Sequence, residues 1–271
     1  MNSTTRFPVF FLSHGGGPWP WVDGMKDMFA KTAREFSALP RRLPGKPKAV
    51  LMITGHWEAT EFSVSTAEHP PMDYDYSGFP AHTYQLQYPA PGSPVLAQRV
   101  RDLLTNASIE NRGDPQRGFD HGTFVPMSLM YPDADVPVVL LSLKSSYDAA
   151  EHIRVGKAIA PLRDEGVLII GSGLTYHNMS GFGRSSSTPV AAAFEEYLGK
   201  AIGQQDAHAR NKMLVEWTSA PVARQAHPRE DHLLPLMVVA GAAGTDTGET
   251  VFVDHVLNVA MASYQFPAVS T

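Results

Sequence analysis

Four short, almost continuous apolar runs are the feature of this 271-residue chain that most constrains its fold. These runs are rich in valine, isoleucine, leucine and phenylalanine, and they cover residues 8–12, 49–53, 136–143 and 167–170. Apolar runs without polar alternation are typical of parallel strands that are buried on both faces. Residues 62–64 and 251–253 are shorter candidates for additional strands.

Helix-like stretches lie between these runs. Ser93 and Pro94 are typical N-cap and first-turn residues for a helix over 95–104. A second helix is predicted over 149–163, and two more over 189–202 and 231–240. Strands that alternate with helices predict an α/β fold, with a mostly parallel central sheet sandwiched by helices. We expect a single domain that spans residues 1–271.

The segment 69–94 fits neither pattern, because proline and aromatic residues crowd it. A loop of this length without secondary structure of its own is usually functional. The aromatic residues from Tyr74 to Tyr88 are therefore expected to form the wall of a binding pocket. A surface loop that packs its own aromatic side chains is the alternative interpretation.

The composition excludes several classes of site and partner. The chain has no cysteine, which excludes disulfides, thiolate metal sites and a cysteine nucleophile. Its net charge of −5 is unfavourable for binding nucleic acid or an anionic membrane. No apolar run approaches the length of about 18 residues that a membrane span requires, and the N-terminus lacks a signal-peptide pattern. We therefore expect a cytoplasmic protein without nucleic-acid or membrane partners.

Three of the eleven histidines closely follow predicted strands, namely His14, His56 and His177. If these strands are parallel, the three imidazoles reach the same sheet edge, where open α/β sheets bind ligands. Glycines beside each histidine allow a ligand to approach the backbone closely. Neutral imidazole binds zinc, iron, copper and nickel. The pattern therefore predicts a shared metal or catalytic site.

The other histidines have weaker sequence contexts. His121 follows Asp120 in a predicted tight turn, where a local hydrogen bond is the simpler interpretation. His232 lies at the predicted start of a helix, and the spacing from His227 allows at most one of the two to be a ligand. The remaining histidines are interpreted as surface or core residues, and they are His69, His82, His152, His208, His227 and His255.

Seven short motifs occur in a specific order along the chain. They are SHGG (13–16), GHW (55–57), GFP (78–80), YPAPGSP (88–94), GFDHG (118–122), HN (177–178) and HLLPL (232–236). This ordered set resembles the DOPA 4,5-dioxygenase-like group of the class III extradiol ring-cleavage dioxygenases. That class is the superfamily of the protocatechuate 4,5-dioxygenase catalytic subunit. The resemblance extends over roughly residues 8–240.

The resemblance implies a non-haem Fe(II) enzyme that cleaves a small aromatic diol, with insertion of both atoms of O₂. Zn(II) replaces iron in some crystals and relatives, and oligomers are compatible with the family. The metal histidines of the family correspond to His14, His56 and His232 here. Its acid/base histidine corresponds to His177, which is an additional ligand in some zinc-bound members. A second active-site histidine corresponds to His121.

These residue types suit the implied chemistry. A catechol loses protons when it chelates a metal, and imidazole is the side chain that accepts protons near neutral pH. We assign that step to His177, and hydrogen bonding or proton donation to the dioxygen to His121, with an exchange of the two roles left open. Protocatechuate-type members use glutamate as their third ligand. Glu230 and Asp231 are therefore alternatives to His232.

One departure from the family pattern concerns the pocket. The chain reads GGGPWP at 15–20, where many bacterial members have Ser-Pro after the first His-Gly. Trp19 and Trp21 are expected to change the pocket wall. The resemblance as a whole implies DOPA or another small catechol as substrate. Two other functions stay open. They are a zinc hydrolase on the same ligands, with His177 or Glu58 as base, and a non-catalytic binding member of the superfamily.

Overall fold

The computed structural model describes residues 6–268 as one α/β unit around a single eight-stranded sheet. The strands are β1 (Val9–Ser13), β2 (Ala49–Ala59), β3 (Phe62–Ser65), β4 (Asn111–Asp114), β5 (Val138–Lys144), β6 (Val167–Gly173), β7 (Glu249–Val256) and β8 (Val259–Phe266). Their order across the sheet is β4-β3-β5-β2-β6-β1-β8-β7. The predicted fold class is therefore confirmed.

Helices surround this sheet. They are α1 (Met25–Met28), α2 (Ala30–Ala38), α3 (Pro94–Asn106), α4 (His121–Met130), α5 (Ala149–Ile159), α6 (Ser187–Ile202), α7 (Ala207–Val215), α8 (Ala223–Ala226) and α9 (Leu234–Ala243). Between residues 6 and 268 the structure contains no helix with the length and apolar character that crossing a membrane requires.

The four central strands are parallel. Strand β2 pairs in parallel with β5 and β6, and β6 pairs in parallel with β1. Antiparallel pairs occur towards the edges, between β1 and β8, β7 and β8, and β3 and β5. Almost every residue of β1, β5 and β6 is buried, which explains their continuous apolar sequences. The carboxyl ends of the four central strands consequently lie at one edge.

The predicted elements differ from the observed ones mainly at their ends. The helix expected over 231–240 begins at Leu234, because residues 230–233 form a turn. The helix expected over 149–163 ends as an α-helix at Ile159 and continues as the 3₁₀ turn Ala160–Arg163. Pro161 lacks the backbone N–H that another α-helical turn would use.

His121 does not lie in the predicted tight turn. It is the first residue of α4, and the side chain of Asp120 caps this helix by accepting a hydrogen bond from the backbone N–H of Thr123. Asparagine, aspartate and serine are favoured at this position because they satisfy a free N–H of the first turn. The prediction of a turn was therefore wrong, although Asp120 does fix the local geometry.

Glycine in β6 allows the segment before α9 to lie against the sheet. A Cβ atom at Gly173 would lie 2.1 Å from the backbone oxygen of His232. The backbone N–H of Leu174 donates to that same oxygen over 3.0 Å. Only glycine permits this close approach, which fixes His232 at the carboxyl edge of the sheet.

Helices α5 and α9 are also in close backbone contact. A Cβ atom at Gly156 would lie 2.0 Å from the backbone oxygen of Val238 and 2.9 Å from Cα of Gly241. We expect Gly156→Ala to lower the free energy of unfolding by about 1–3 kcal/mol, since overpacking outweighs the better helix propensity of alanine. Chemical denaturation measures this change.

Gly199→Ala is the matched control, because Gly199 is also helical and the nearest atom to its added Cβ is 3.8 Å away. This variant is expected to gain about 0.5–1 kcal/mol from helix propensity alone. Equal effects of the two substitutions would contradict the close contact of α5 and α9.

Candidate active site

Five histidines form one cluster at the carboxyl edge of the sheet. The ring centroids of His14 and His56 are 5.0 Å apart, and those of His56 and His232 are 4.6 Å apart. His121 lies 4.0 Å from His56, and His177 stacks on His232 at 3.4 Å. The prediction that His14, His56 and His177 reach the same edge is confirmed. His121 belongs to the cluster as well, contrary to the simpler interpretation of a purely local role.

Three Nε2 atoms in this cluster face one another. Nε2 of His56 lies 3.1 Å from Nε2 of His14 and 3.1 Å from Nε2 of His232. Two imidazoles on one ion, with bonds of about 2.1 Å at angles of about 90–110°, have nitrogens about 3.0–3.4 Å apart. The observed separations therefore fit a shared metal ion.

The opposite nitrogen of His14 is fixed by a serine. Nδ1 of His14 lies 3.0 Å from Oγ of Ser172, whose hydroxyl donates to the backbone oxygen of Gly122 over 2.5 Å. Because Ser172 uses its only proton in that bond, it accepts the N–H of the His14 Nδ1. This tautomer leaves the Nε2 lone pair of His14 free for a metal.

Carboxylates fix the other two imidazoles of this group. Oδ2 of Asp75 lies 3.1 Å from Nδ1 of His56, and Oδ2 of Asp231 lies 2.7 Å from Nδ1 of His232. An ionised carboxylate only accepts hydrogen bonds, so Nδ1 of His232 donates to Asp231 and its Nε2 lone pair is free. The nearby carboxylate of Asp75 favours the same tautomer at His56. A carboxylate behind an imidazole is the usual arrangement at metal sites.

The same two carboxylates also contact the remaining histidines. Both carboxylate oxygens of Asp75 lie 2.9 Å from Nδ1 of His121, and Oδ2 of Asp231 lies 3.5 Å from Nδ1 of His177. Asp75 thus lies between His56 and His121, and Asp231 lies between His232 and His177. The sequence prediction missed Asp75, and its only signal was an acidic residue within the aromatic segment 69–94.

Burial controls protonation in this cluster. Burial, together with repulsion from His121, holds the pKa of His14 and of His56 well below the ordinary value for histidine. Burial lowers the pKa of His232 to about 4, although its hydrogen bond to Asp231 acts in the opposite direction. These three imidazoles are therefore neutral at neutral pH, as metal ligands must be.

Burial alone would raise the pKa of the Asp75 carboxyl, but the side-chain hydrogen bond and charge of His121, together with backbone hydrogen bonds, outweigh burial and lower that pKa. Asp75 therefore stays ionised behind His56 and His121 at neutral pH.

Alternative groupings of donor atoms are also present. Donor atoms of His14, His56 and His121 lie within 4.8 Å of one another, and so do those of His177, Asp231 and His232. The two Nε2 contacts of 3.1 Å nevertheless join His56 to His14 and to His232. This geometry favours the group that contains His232, with Asp231 behind it as a hydrogen-bond acceptor.

Glu230, the other carboxylate considered as a third ligand, is held by a different partner. Its Oε1 lies 2.5 Å from Nη2 of Arg224 in an ion pair. This pairing makes Glu230 a poor alternative to His232.

The aromatic segment 69–94 contributes to the wall of the site. The ring of Tyr76 lies edge-on to His121 at 6.0 Å, and Phe79 packs so closely over Gly17 that a Cβ there would lie 2.5 Å from the Phe79 ring. Tyr88 is instead buried in the core, where its hydroxyl donates to a backbone oxygen. The expected wall therefore includes Tyr76 and Phe79 but not Tyr88.

Trp19 does not line the pocket as expected. It is fully buried, stacks on Phe29 at 4.8 Å, and donates its indole N–H to the backbone oxygen of His14 over 2.8 Å. Gly15 has a φ of +82° and passes so close to Trp19 that a Cβ would lie 2.7 Å from the indole nitrogen. Trp19 therefore supports His14 from behind.

The six other histidines lie outside the cluster, as predicted. Four of them are exposed, namely His69, His82, His208 and His255. The other two, His152 and His227, are buried in the core. His227 packs between Phe194 and Trp217, and burial lowers its pKa to about 3.

Comparisons with known proteins show the family to which this chain belongs. Residues 8–271 match the family described as the catalytic LigB subunit of aromatic ring-opening dioxygenase. A protein of Beta vulgaris named 4,5-DOPA dioxygenase extradiol is 43% identical over 88% of this chain and 88% of its own length. A protein of the same name from Portulaca grandiflora is 38% identical over 96% of both chains.

A solved structure has the same fold. The crystal structure of an uncharacterized protein from Escherichia coli K12 superimposes with a TM-score of 0.79 at 32% identity, covering 96% of this chain and 100% of that chain. Together with the residues matched above, these similarities show that the chain belongs to the LigB family and is a metal-dependent extradiol ring-cleavage dioxygenase.

Proposed function

We propose that this enzyme uses Fe(II), held by His14, His56 and His232, to cleave the ring of DOPA or a similar small catechol with O₂. The observation that supports this most strongly is the group of three Nε2 atoms, with contacts of 3.1 Å, whose lone pairs are free. The names of the relatives from Beta vulgaris and Portulaca grandiflora support DOPA as the diol.

The donor set is compatible with more than one metal. Neutral imidazoles bind both Fe(II) and Zn(II), but zinc has no redox chemistry, so we propose Fe(II) for activity and Zn(II) as a competing occupant. Bound Fe(II) would supply Lewis-acid activation of the diol and a common site for diol and O₂. The residues of the chain then orient the substrate and move its protons.

His177 is proposed to accept a hydroxyl proton from the diol. Its ring stacks on His232, and Asp231 lies behind its Nδ1 at 3.5 Å, which leaves Nε2 to face the substrate. Asp231 would stabilise the imidazolium that forms when His177 takes up the proton. We also propose His177 as an additional ligand when zinc is bound, as the family resemblance implies.

His121 is proposed to donate a hydrogen bond to the dioxygen, and a proton when the O–O bond breaks. Asp75 accepts the N–H of its Nδ1, so its Nε2 must be protonated before it can donate. Tyr76 beside His121 would form part of the wall against the substrate ring.

Oxygen consumption tests this function directly. Fe(II)-loaded enzyme is expected to consume O₂ with DOPA or another member of a catechol panel and to form a yellow semialdehyde product. No uptake with any catechol, while iron is demonstrably bound, would reject the proposal and favour a non-catalytic binding protein. Anaerobic hydrolysis of an ester or amide would favour the zinc hydrolase. Glu58 is a poor base for that reaction, because the positive charge of Arg229 and the hydroxyl of Tyr147, both bound to its Oε2, stabilise the ionised carboxylate.

We further propose that residues 1–271 form one catalytic domain that acts in the cytoplasm on a small aromatic diol and O₂, without nucleic-acid or membrane partners. The mild negative charge and the absence of cysteine support this setting. Light scattering after size-exclusion chromatography reports whether the enzyme forms an oligomer.

Asp75→Asn is expected to weaken metal binding about 10–100-fold, because the carboxylate behind a ligand histidine sets its orientation and basicity. Competition with a chromogenic chelator measures the affinity. Turnover at saturating metal should also fall, because His121 loses the same partner.

Asp73→Asn is the control, because Asp73 is in the same segment but its carboxylate is paired with Arg117. Unchanged metal affinity in Asp75→Asn, or an equal loss in both variants, would show that Asp75 does not act through His56.

A further inference from the structure

Three side chains outside the histidine cluster form a second polar group, which we call the rim cluster. They are Glu58, Tyr147 and Arg229. Nη2 of Arg229 lies 2.5 Å from Oε2 of Glu58, and the hydroxyl of Tyr147 donates to the same oxygen. The guanidinium of Arg229 lies over the Tyr147 ring, 5.1 Å from its centroid.

The rim cluster lies beside the proposed metal site. Glu58 follows His56 by two residues on β2, and both are partly exposed while Trp57 between them is buried. Strand β2 has a register irregularity between Ile53 and Glu58, so the matching partial exposure of His56 and Glu58, and not strict alternation, places both at the carboxyl end of β2. Arg229 precedes His232 by three residues, and Tyr147 follows β5 at the same edge of the sheet.

Both charged groups of the rim cluster retain unused hydrogen-bonding capacity. Within residues 6–268, Arg229 donates only through Nη2, and its side chain is 56% exposed. Its Nη1 and Nε therefore remain available to an incoming acceptor. Glu58 accepts only through Oε2, so its Oε1 remains available to a donor. The ion pair thus presents unused N–H donors of Arg229 next to an unused acceptor oxygen of Glu58.

The backbone at Tyr147 is strained. Its φ is +52°, in the left-handed region that non-glycine residues rarely adopt. Such conformations cost free energy and concentrate at functional sites. Here the conformation directs the phenol towards Glu58 and Arg229.

We infer that the rim cluster binds the charged end of an α-amino-acid substrate while the ring diol occupies the histidine cluster. Arg229 would bind the carboxylate through its free N–H groups, and Oε1 of Glu58 would accept from the ammonium group. A diol that carries both charges leaves neither group unmatched, whereas a catechol without them gains nothing from the rim cluster. This inference rests on the proposed function, because it assumes that the diol binds at the metal.

Four catechols separate the two charges. They are DOPA, 3-(3,4-dihydroxyphenyl)propionate without the ammonium, dopamine without the carboxylate, and 4-methylcatechol with neither. Arg229→Gln is expected to lower kcat/KM about 10–100-fold for the two carboxylates and to leave the other two within threefold. Glu58→Gln is expected to lower kcat/KM to a similar extent for DOPA and dopamine, the two catechols that carry the ammonium group, and not for the other two.

Arg224→Gln is the matched control, since Arg224 is a nearby exposed arginine in an ion pair with Glu230. It is expected to leave all four substrates unchanged. An equal effect of Arg229→Gln on all four catechols, or no effect on the carboxylates, would overturn the inference.

Binding of L-tyrosine gives a readout that does not depend on turnover. This amino acid has the same charged end but only one ring hydroxyl. Calorimetry with the metal-loaded enzyme is expected to show binding to the wild type, weakened about tenfold or more by Arg229→Gln and unaffected by Arg224→Gln.

This measurement distinguishes the inference from the proposed function. If the wild type cleaves none of the four catechols, the proposed function fails, and tyrosine binding still decides the role of the rim cluster. Tyrosine that fails to bind the wild type, or binds Arg229→Gln equally well, would overturn that role.

Discussion

Replacing His177 with alanine is expected to leave the metal bound and to lower kcat about 10²–10⁴-fold, the usual contribution of a general base. The physical reason is that His177 stacks on His232 and takes part in neither of the two short Nε2 contacts that join His56 to His14 and to His232. Its loss should therefore remove the proton acceptor but not the metal. Steady-state oxygen consumption, together with the metal content of the same sample, measures both effects.

His208→Ala is a suitable control, because His208 is an exposed histidine on α7. A kcat for His177→Ala within threefold of the wild type would remove His177 from the role of base. Loss of the metal itself would instead identify His177 as a ligand, the additional role that the family resemblance allows.

Replacing His14 or His56 with alanine is expected to abolish metal binding. Each variant removes one of three converging nitrogens, and the added methyl group cannot coordinate an ion. Because bound metal stabilises the folded state, these variants should also lose the metal-dependent increase in melting temperature. Elemental analysis of purified protein measures the loss, and circular dichroism confirms that the variants are folded.

His232→Ala is expected to behave in the same way. Full metal content in any one of the three variants would exclude that histidine from the ligand set. Retention in His232→Ala alone would reopen the alternative of a carboxylate third ligand, most directly Asp231.

Local sequence was sufficient to predict the centre of the sheet and part of the site. The parallel strands are continuous apolar runs, and topology alone brings His14, His56 and His177 to one edge. The places of His121 and His232 came only from the family resemblance. His121 has a sequence context that also fits a local turn, and its proximity to His56 depends on how α4 packs.

Elements without a clear periodic pattern were missed. Strand β4 is polar and only four residues long, and α4 is apolar on all sides and contains Pro126, so it has no amphipathic period. Strand β8 forms a hairpin with β7 through Leu257 and Asn258, whose φ values are +49° and +65°. Such turns usually contain Asn-Gly or Asp-Gly, so Leu-Asn gave no turn signal.

Asp75 could not be predicted because its role depends on contacts between distant segments. The backbone N–H of Asp73 donates to the backbone oxygen of Phe119 over 2.9 Å, and Met72 forms a β-bridge with the same residue. These bonds hold the aromatic segment against the start of α4, which brings Asp75 to His121. No spacing within either segment encodes this pairing.

A crystal structure of the metal-loaded enzyme, with the metal identified by anomalous scattering, tests the central claim most directly. We expect one ion about 2.0–2.2 Å from Nε2 of His14, His56 and His232, with Asp75 and Asp231 hydrogen-bonded behind two of these rings. An ion held instead by His121 or by a carboxylate in place of any of the three, or no ion bound among them, would contradict the claim.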